Sequence, residues 1–253
     1  MYAKRATRGG AVAAALGLLL ALSAPASALQ AGASGAGTGY THEIRTRIEQ
    51  PGSFIYGADA RTYWSYVTFP DGQFFQAGFV DSDNGWGSDK CSTGFATFVT
   101  ALYGSTNLFS DLYHIQHCNI TGGHWFRLVR SYTSTQTVWQ WLLDGTSNLG
   151  PALEFDNFAN QDFQKRNAGF ASEIVHEGTI ASGQAFPTVD YSTAIQFRDS
   201  SGNWVDAANG VAWFSSDRTC EYAIKSPSAN HAVTGRSSAI NPPQCYGTGD
   251  SLW

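Results

Sequence analysis

The chain is expected to fold as an all-β protein, an antiparallel two-sheet sandwich or jelly roll, and three observations lead there. About ten short segments rich in aromatic and β-branched residues alternate apolar and polar positions with period two. Between them fall compact turn signals: Pro70-Asp71-Gly72, Asp83-Asn84-Gly85, Asp144-Gly145 and Ser201-Gly202-Asn203. No repeat of 20–50 residues and no P-loop or dinucleotide fingerprint is present, which argues against an α/β architecture.

Taken in order, residues 1–28 read as an export signal. Lys4, Arg5 and Arg8 precede an apolar run from Ala11 to Ala24, and Ala26-Ser27-Ala28 forms a small-residue cleavage site. The run is too short to span a bilayer. Leu29 to Gly39 (LQAGASGAGTG), or 29–40, reads as a flexible leader, and 41–253 as a single domain. Strands are expected at 42–49, 63–69, 73–80, 94–101, 112–116, 124–131, 137–143, 168–175, 193–198 and 211–215, with one short helix over 157–165. The stretch 199–253 reads as a Pro/Ser/Gly-rich C-terminal extension, held on by a disulfide. The four cysteines, in an oxidising compartment, predict two disulfides with three possible connectivities; Cys91–Cys118 and Cys220–Cys245 are the pairs expected. Their spacing is far from a zinc pattern, so neither a metal nor any other cofactor is expected.

Composition narrows the partners. Loss of the three signal cations takes the formal charge from −5 to −8, which disfavours nucleic acid and anionic membranes. Charged residues are 14% of the chain, against an average near ~25%, and Lys90, Lys165 and Lys225 are the lysines beyond the signal. A surface of Ser, Thr, Asn, Gln and Gly stays soluble without ionised carboxylates, as an acidic extracellular setting requires. The chain is expected to be secreted and to act as a monomer.

Two polar residues break otherwise apolar strands. Gln76 lies alone in Phe74-Phe75-Gln76-Ala77-Gly78-Phe79-Val80, where Gly78 leaves space beside the amide as if something approaches it. Glu173 similarly interrupts Phe170-Ala171-Ser172-Glu173-Ile174-Val175. A buried amide or carboxylate without a partner costs a few kcal/mol, so each asks for a reason. The ordinary reasons are a satisfied strand amide and an edge or paired surface carboxylate.

The run Tyr63-Trp64-Ser65-Tyr66-Val67-Thr68-Phe69-Pro70-Asp71-Gly72-Gln73-Phe74-Phe75-Gln76-Ala77-Gly78 resembles the Trp strand, turn and Gln strand of the glutamic peptidases, the eqolisin family. His124-Trp125-Phe126-Arg127-Leu128-Val129 with Thr137-Val138-Trp139-Gln140-Trp141 looks like that family's central hairpin. Ala171-Ser172-Glu173-Ile174-Val175 resembles its catalytic-glutamate strand, and Phe186 to Phe197 its closing strand. Order and spacing agree over roughly residues 60–198. The segment Phe95–Gly104 departs from it, lacking the family's Trp-Tyr-Pro ending, and 199–253 has no counterpart. The resemblance implies a concanavalin A-like sandwich and an acid-active endopeptidase. In it Glu173 is general base and then acid, and Gln76 holds the attacking water and donates to the oxyanion. Trp64, Trp139 and Trp141 become candidate groove walls for a polypeptide substrate, although aromatics at period two are more often sheet core. The alternative is a non-catalytic module that uses the same aromatics to bind a glycan or a surface.

Other chemistries fit less well. Glu173 and Glu177 lie about 13 Å apart along a strand, too far for a glycosidase pair. Glu154 and Asp156 are closer, but the segment lacks the last glutamate of the laminarinase-like pattern. Asp81 to Gly85 has calcium-loop flavour without a closing glutamate, and reads better as a turn. His114 and His117 point to opposite faces of a strand. No G-x-S-x-G or poised cysteine supports a nucleophile.

Overall fold

The computed structural model describes residues 26–35, 39–49, 60–81, 91, 95–104, 106–110, 114–156, 161–177, 190–207, 211–215, 222–228 and 231–236. Among these, nearly every residue outside turns is extended, and two large antiparallel sheets pack face to face. The first runs β17 (Val211–Ser215), β1 (Ala26–Ser34), β14 (Ala168–Glu177), β4 (Ala60–Thr68), β5 (Gln73–Asp81), β6 (Phe95–Tyr103) and β7 (Thr106–Asn107), with β8 (His114–Gln116) also paired to β6. The second runs β11 (Ser147–Asn148), β10 (Gln136–Leu143), β9 (Gly123–Tyr132), β3 (Ile44–Glu49), β15 (Asp190–Arg198), β19 (His231–Arg236) and β18 (Tyr222–Ser228). There β12 (Leu153–Asp156) joins β10 and β16 (Trp204–Asp206) joins β15, while β2 (Tyr40–Thr41) and β13 (Phe163–Gln164) form a small ribbon.

Alternation decides the layers. In β10, Thr137, Trp139, Trp141 and Leu143 turn inward; in β3, Ile44, Thr46 and Ile48 do so while Arg45, Arg47 and Glu49 face out. From the first sheet come Tyr63, Phe75, Ala77, Phe79 and Phe170, and the two sets close one aromatic core. Ring contacts knit the layers: Phe79 on Phe126 at 4.9 Å, Phe75 on Trp141 at 5.9 Å, and Phe69 on Trp139 at 5.2 Å. One polar staple crosses the core, where Thr46 Oγ1 and Ser65 Oγ lie 2.9 Å apart.

The turns form where their residues demand them. Gly72 takes φ 92° and donates its N–H to Phe69 O at 2.9 Å, closing the β4–β5 hairpin after Pro70. Asp144 and Gly145 both adopt positive φ, as a tight hairpin requires. At 199–203, Asp199 accepts backbone N–H bonds from Asn203 at 2.7 Å and Ser201 at 2.9 Å. These bonds, led by that from Asn203, hold its carboxyl below the usual Asp value. A depressed carboxyl stabilises the fold above its unfolded pKa, near ~3.9, and loses that contribution as pH falls through its lowered folded value. Asp199→Asn is therefore expected to lower Tm at neutral pH and to flatten the acid limb of the pH–Tm profile, the difference from wild type closing as pH falls below the lowered folded value; an unchanged profile would show that the turn carboxylate does not contribute.

Three expectations are corrected. The leader reading fails for Leu29 to Ser34, which lie in the strand Ala26–Ser34 seated between β14 and β17 in register Gln30↔Glu173 and Gln30↔Ser215; Ala26 to Ala28, read as the signal's cleavage site, begin the same strand. Small residues pass for a linker in sequence, yet they suit a strand squeezed between neighbours, and burial outweighs their weak propensity. The helix expected over 157–165 is replaced by β13 and one 3-10 turn, Lys165–Asn167, with 157–160 outside the described residues. Within 199–253 the described strands are built into the sheets rather than merely held on: β17 borders the first sheet, and β18 and β19 extend the second.

Cys91 and Cys118 form a disulfide with Cα atoms 5.4 Å apart, as expected. Cys220 and Cys245 lie outside the described residues, as do residues 1–25 and Ser82 to Gly85. The Cys91–Cys118 bridge spans 27 residues, a loop whose closure is worth about 3–4 kcal/mol in the chain-entropy treatment. Replacing both cysteines by serine is expected to lower unfolding free energy by that order in denaturant titration; a loss under about 1 kcal/mol would count against it.

Candidate functional site

The first sheet has a second, outer face. Cross-strand pairing aligns Ser34↔Gly169↔Tyr66↔Gln76↔Thr100 in a row across β1, β14, β4, β5 and β6. The next row toward the far end of β14 is Gly32↔Ala171↔Trp64↔Gly78↔Phe98, and the one beyond it is Gln30↔Glu173↔Thr62↔Val80↔Ala96. Paired residues share a face, so Gln76 and Glu173 lie on the same side of one sheet. They are two strands and four register steps apart, which places their Cα atoms about 16 Å from each other. Among the described residues on this face, Glu173 is the acidic residue nearest Gln76 in register.

This face is covered. Gln76 is 3% exposed and Trp64 2%, and Trp64, Tyr66, Phe74, Val80, Phe98, Leu102, Ile115 and Cys91 form a second apolar cluster on it. Yet the cover leaves polar atoms without partners: Gln76 Oε1, Thr100 Oγ1, Trp64 Nε1, Thr62 Oγ1, Thr68 Oγ1 and Ser34 Oγ. All six side chains sit on this one face. Each such atom costs about 1–3 kcal/mol against a hydrogen-bonded one, and native proteins tolerate few of them. They are six of twelve such atoms among the described residues; the others, on Tyr63, Arg127, Thr137, Trp139, Trp141 and Gln164, lie away from this face.

The other expected site residues divide. Trp64 lies on the outer face, paired across from Gly78. Trp139 and Trp141 are not groove walls. They are 0% and 1% exposed and fill the core between the sheets, because the inward parity of β10 is set by Thr137 and Leu143 as well. Gly78 also has a different reason from the one expected. A Cβ there would lie 1.8 Å from Tyr63 O and 2.6 Å from Trp64 Cα, so the neighbouring strand itself makes the close approach. Thr100, Thr62 and Ser34 were missed by sequence reasoning. Thr100 carries the same signal as Gln76, a lone hydrogen-bonding side chain within Phe98-Val99-Thr100-Ala101-Leu102.

Glu154 and Asp156 face outward on β12, where Asp156 accepts from Gln136 Nε2 at 3.0 Å. His114 Nε2 lies 3.0 Å from Gln116 Nε2, and His117 is exposed beyond the end of β8.

The chain is similar in fold to scytalido-glutamic peptidase with a peptide-based transition-state analog, at TM-score 0.48 and 11% identity, covering 84% of this chain and 99% of that one. It is also similar to SCP-B, a member of the eqolisin family of peptidases in complex with a tripeptide, at TM-score 0.45 and 12% identity over the same shares. A further scytalido-glutamic peptidase complex gives TM-score 0.46 at 13% identity, with equal coverage. No protein-family model matches the chain, and no curated protein matches its sequence.

Proposed function

We propose that the chain is a secreted, acid-active glutamic endopeptidase working from the outer face of the first sheet. The observation that carries this reading is Gln76: a buried amide whose oxygen has no partner, on the face that also bears Glu173. In this reading Glu173 takes a proton from water as it attacks the scissile carbonyl, then returns it to the leaving amine. Gln76 donates its N–H to the oxyanion, a role worth about 3–4 kcal/mol in comparable sites. A carboxylate base works at acid pH, where an imidazole base is protonated below about pH 6.5. The ordered sequence resemblance over residues 60–198 supports the same assignment. Because Gln76 is 3% exposed, a substrate reaches it only when the cover on this face is displaced.

That same burial, with Cα atoms about 16 Å apart, favours a second reading: a non-catalytic extracellular module that binds glycan or a surface. One assay separates the two. The peptidase cleaves an acid-denatured protein at about pH 3–4, with products resolved by mass spectrometry. An absence of new peptides across the whole pH range leaves the binding module.

A further inference from the structure

The outer face of the second sheet gathers positive charge that the peptidase reading does not use. Arg45 on β3 pairs across from Arg127 on β9 and from Gln196 on β15, and Arg198 ends β15 opposite Trp204. The Arg45 guanidinium lies 4.6 Å from the Trp125 ring centre and 4.3 Å from that of Trp204. Arg127 and Arg198 approach Trp204 at 5.3 and 5.4 Å. Three guanidiniums therefore converge on two indoles, from three strand positions.

Counter-charge is short. Among the described residues Glu43 is the carboxylate that reaches them, and its Oε2 is shared by Arg127 Nη2 at 3.0 Å and Arg198 Nη1 at 3.5 Å. Among the described residues no carboxylate pairs with Arg45: its Nε donates to the neutral Gln196 Oε1 at 2.7 Å. Asp206 is exposed and accepts from Gln196 Nε2 at 2.8 Å, while Glu49 is paired with Arg47. Arg127 Nε is buried and has no partner. Crowding shows in acid strength as well: burial first, then Arg127 and Arg198, hold Arg45 below the usual guanidinium pKa. Like charges held together in a partly dry cluster repel, and an anion seated among them relieves that repulsion. A guanidinium stacked on rings keeps in-plane N–H donors for such an anion, and planar forks carried on three neighbouring strands suit an oxyanion with several acceptor oxygens.

We propose that Arg45, Arg127 and Arg198, walled by Trp125 and Trp204, form a binding site for a sulfate-type oxyanion, either as the free ion or carried on an acidic saccharide. The site lies across the sandwich from Gln76 and stands whether or not the chain is a peptidase. Calorimetric titration of the full chain at low ionic strength tests it, using inorganic sulfate, a sulfated oligosaccharide and its desulfated counterpart, with chloride as the ionic-strength control. Saturable binding of one sulfate or one sulfated chain is expected, weakened about tenfold or more by Arg45→Gln and by Arg198→Gln. A sulfated chain that binds more than about tenfold tighter than the free ion identifies the saccharide as the carrier; equal affinities identify the ion. Arg198 is partly exposed and keeps its backbone N–H bond to Glu43 O, so Arg198→Gln folds even if Arg45→Gln does not. No saturable binding of either probe, or binding indifferent to the substitutions that fold, overturns the proposal.

Discussion

Glu173→Gln is expected to remove proteolysis at acid pH, by about 10²–10⁴-fold, with the far-UV spectrum and Tm unchanged. The substitution keeps the shape and discards the base, so any turnover that survives at wild-type level sinks Glu173 as the catalytic group. Gln76→Leu makes the sharper companion. Loss of the amide donor is expected to cost about 10²–10³ in kcat. Yet Leu also removes a buried acceptor that has no partner, and should add about 1–3 kcal/mol to unfolding free energy. Activity falling while stability rises is the behaviour of a residue kept for function at the fold's expense. If instead stability falls and cleavage persists, Gln76 is a structural amide and the proposed chemistry is wrong.

The second large effect belongs to Gly78. Its Cβ position overlaps the backbone of Tyr63 and Trp64, and backbone cannot swing aside as a side-chain tip can. Gly78→Ala must part β4 from β5, between two layers of buried aromatics. A loss beyond about 4 kcal/mol is expected, seen as insoluble protein or a collapsed denaturant midpoint. Gly39→Ala is the control, since a methyl there meets nothing within 4 Å. A Gly78→Ala protein that melts within a few degrees of wild type would contradict the packing described.

Much of the layer structure was legible in the residues, because alternation in segments such as Gln136–Leu143 and Ile44–Glu49 is a direct print of one wet and one dry face. What alternation does not give is which dry face a strand joins. Trp139 and Trp141 could line a groove or a core until the partner sheet is known, and the core took them. The shared face of Gln76 and Glu173 needs two registers, β4 on β5 through Tyr66–Gln76 and β4 on β14 through Thr62–Glu173, that no single segment encodes. Strand β1 was hidden for a different reason. Leu29-Gln30-Ala31-Gly32-Ala33-Ser34 has the composition of a spacer, and only its neighbours make it a strand. Pro227 and the surrounding serines disguised β18 in the same way. The arginine cluster was spread over three distant segments, each unremarkable alone.

The seating of β1 also sets a timetable. Ala26 pairs with Glu177, and Ser34 with Val211, so the earliest described residues wait for partners that lie far along the chain. Nascent chain emerging from a ribosome thus has no finished sheet to settle into, and closure of the loops involved is entropically late. Joining them is a non-local step, of the milliseconds-to-seconds kind that governs all-β folds, and the first sheet acquires this strand only after those that flank it exist.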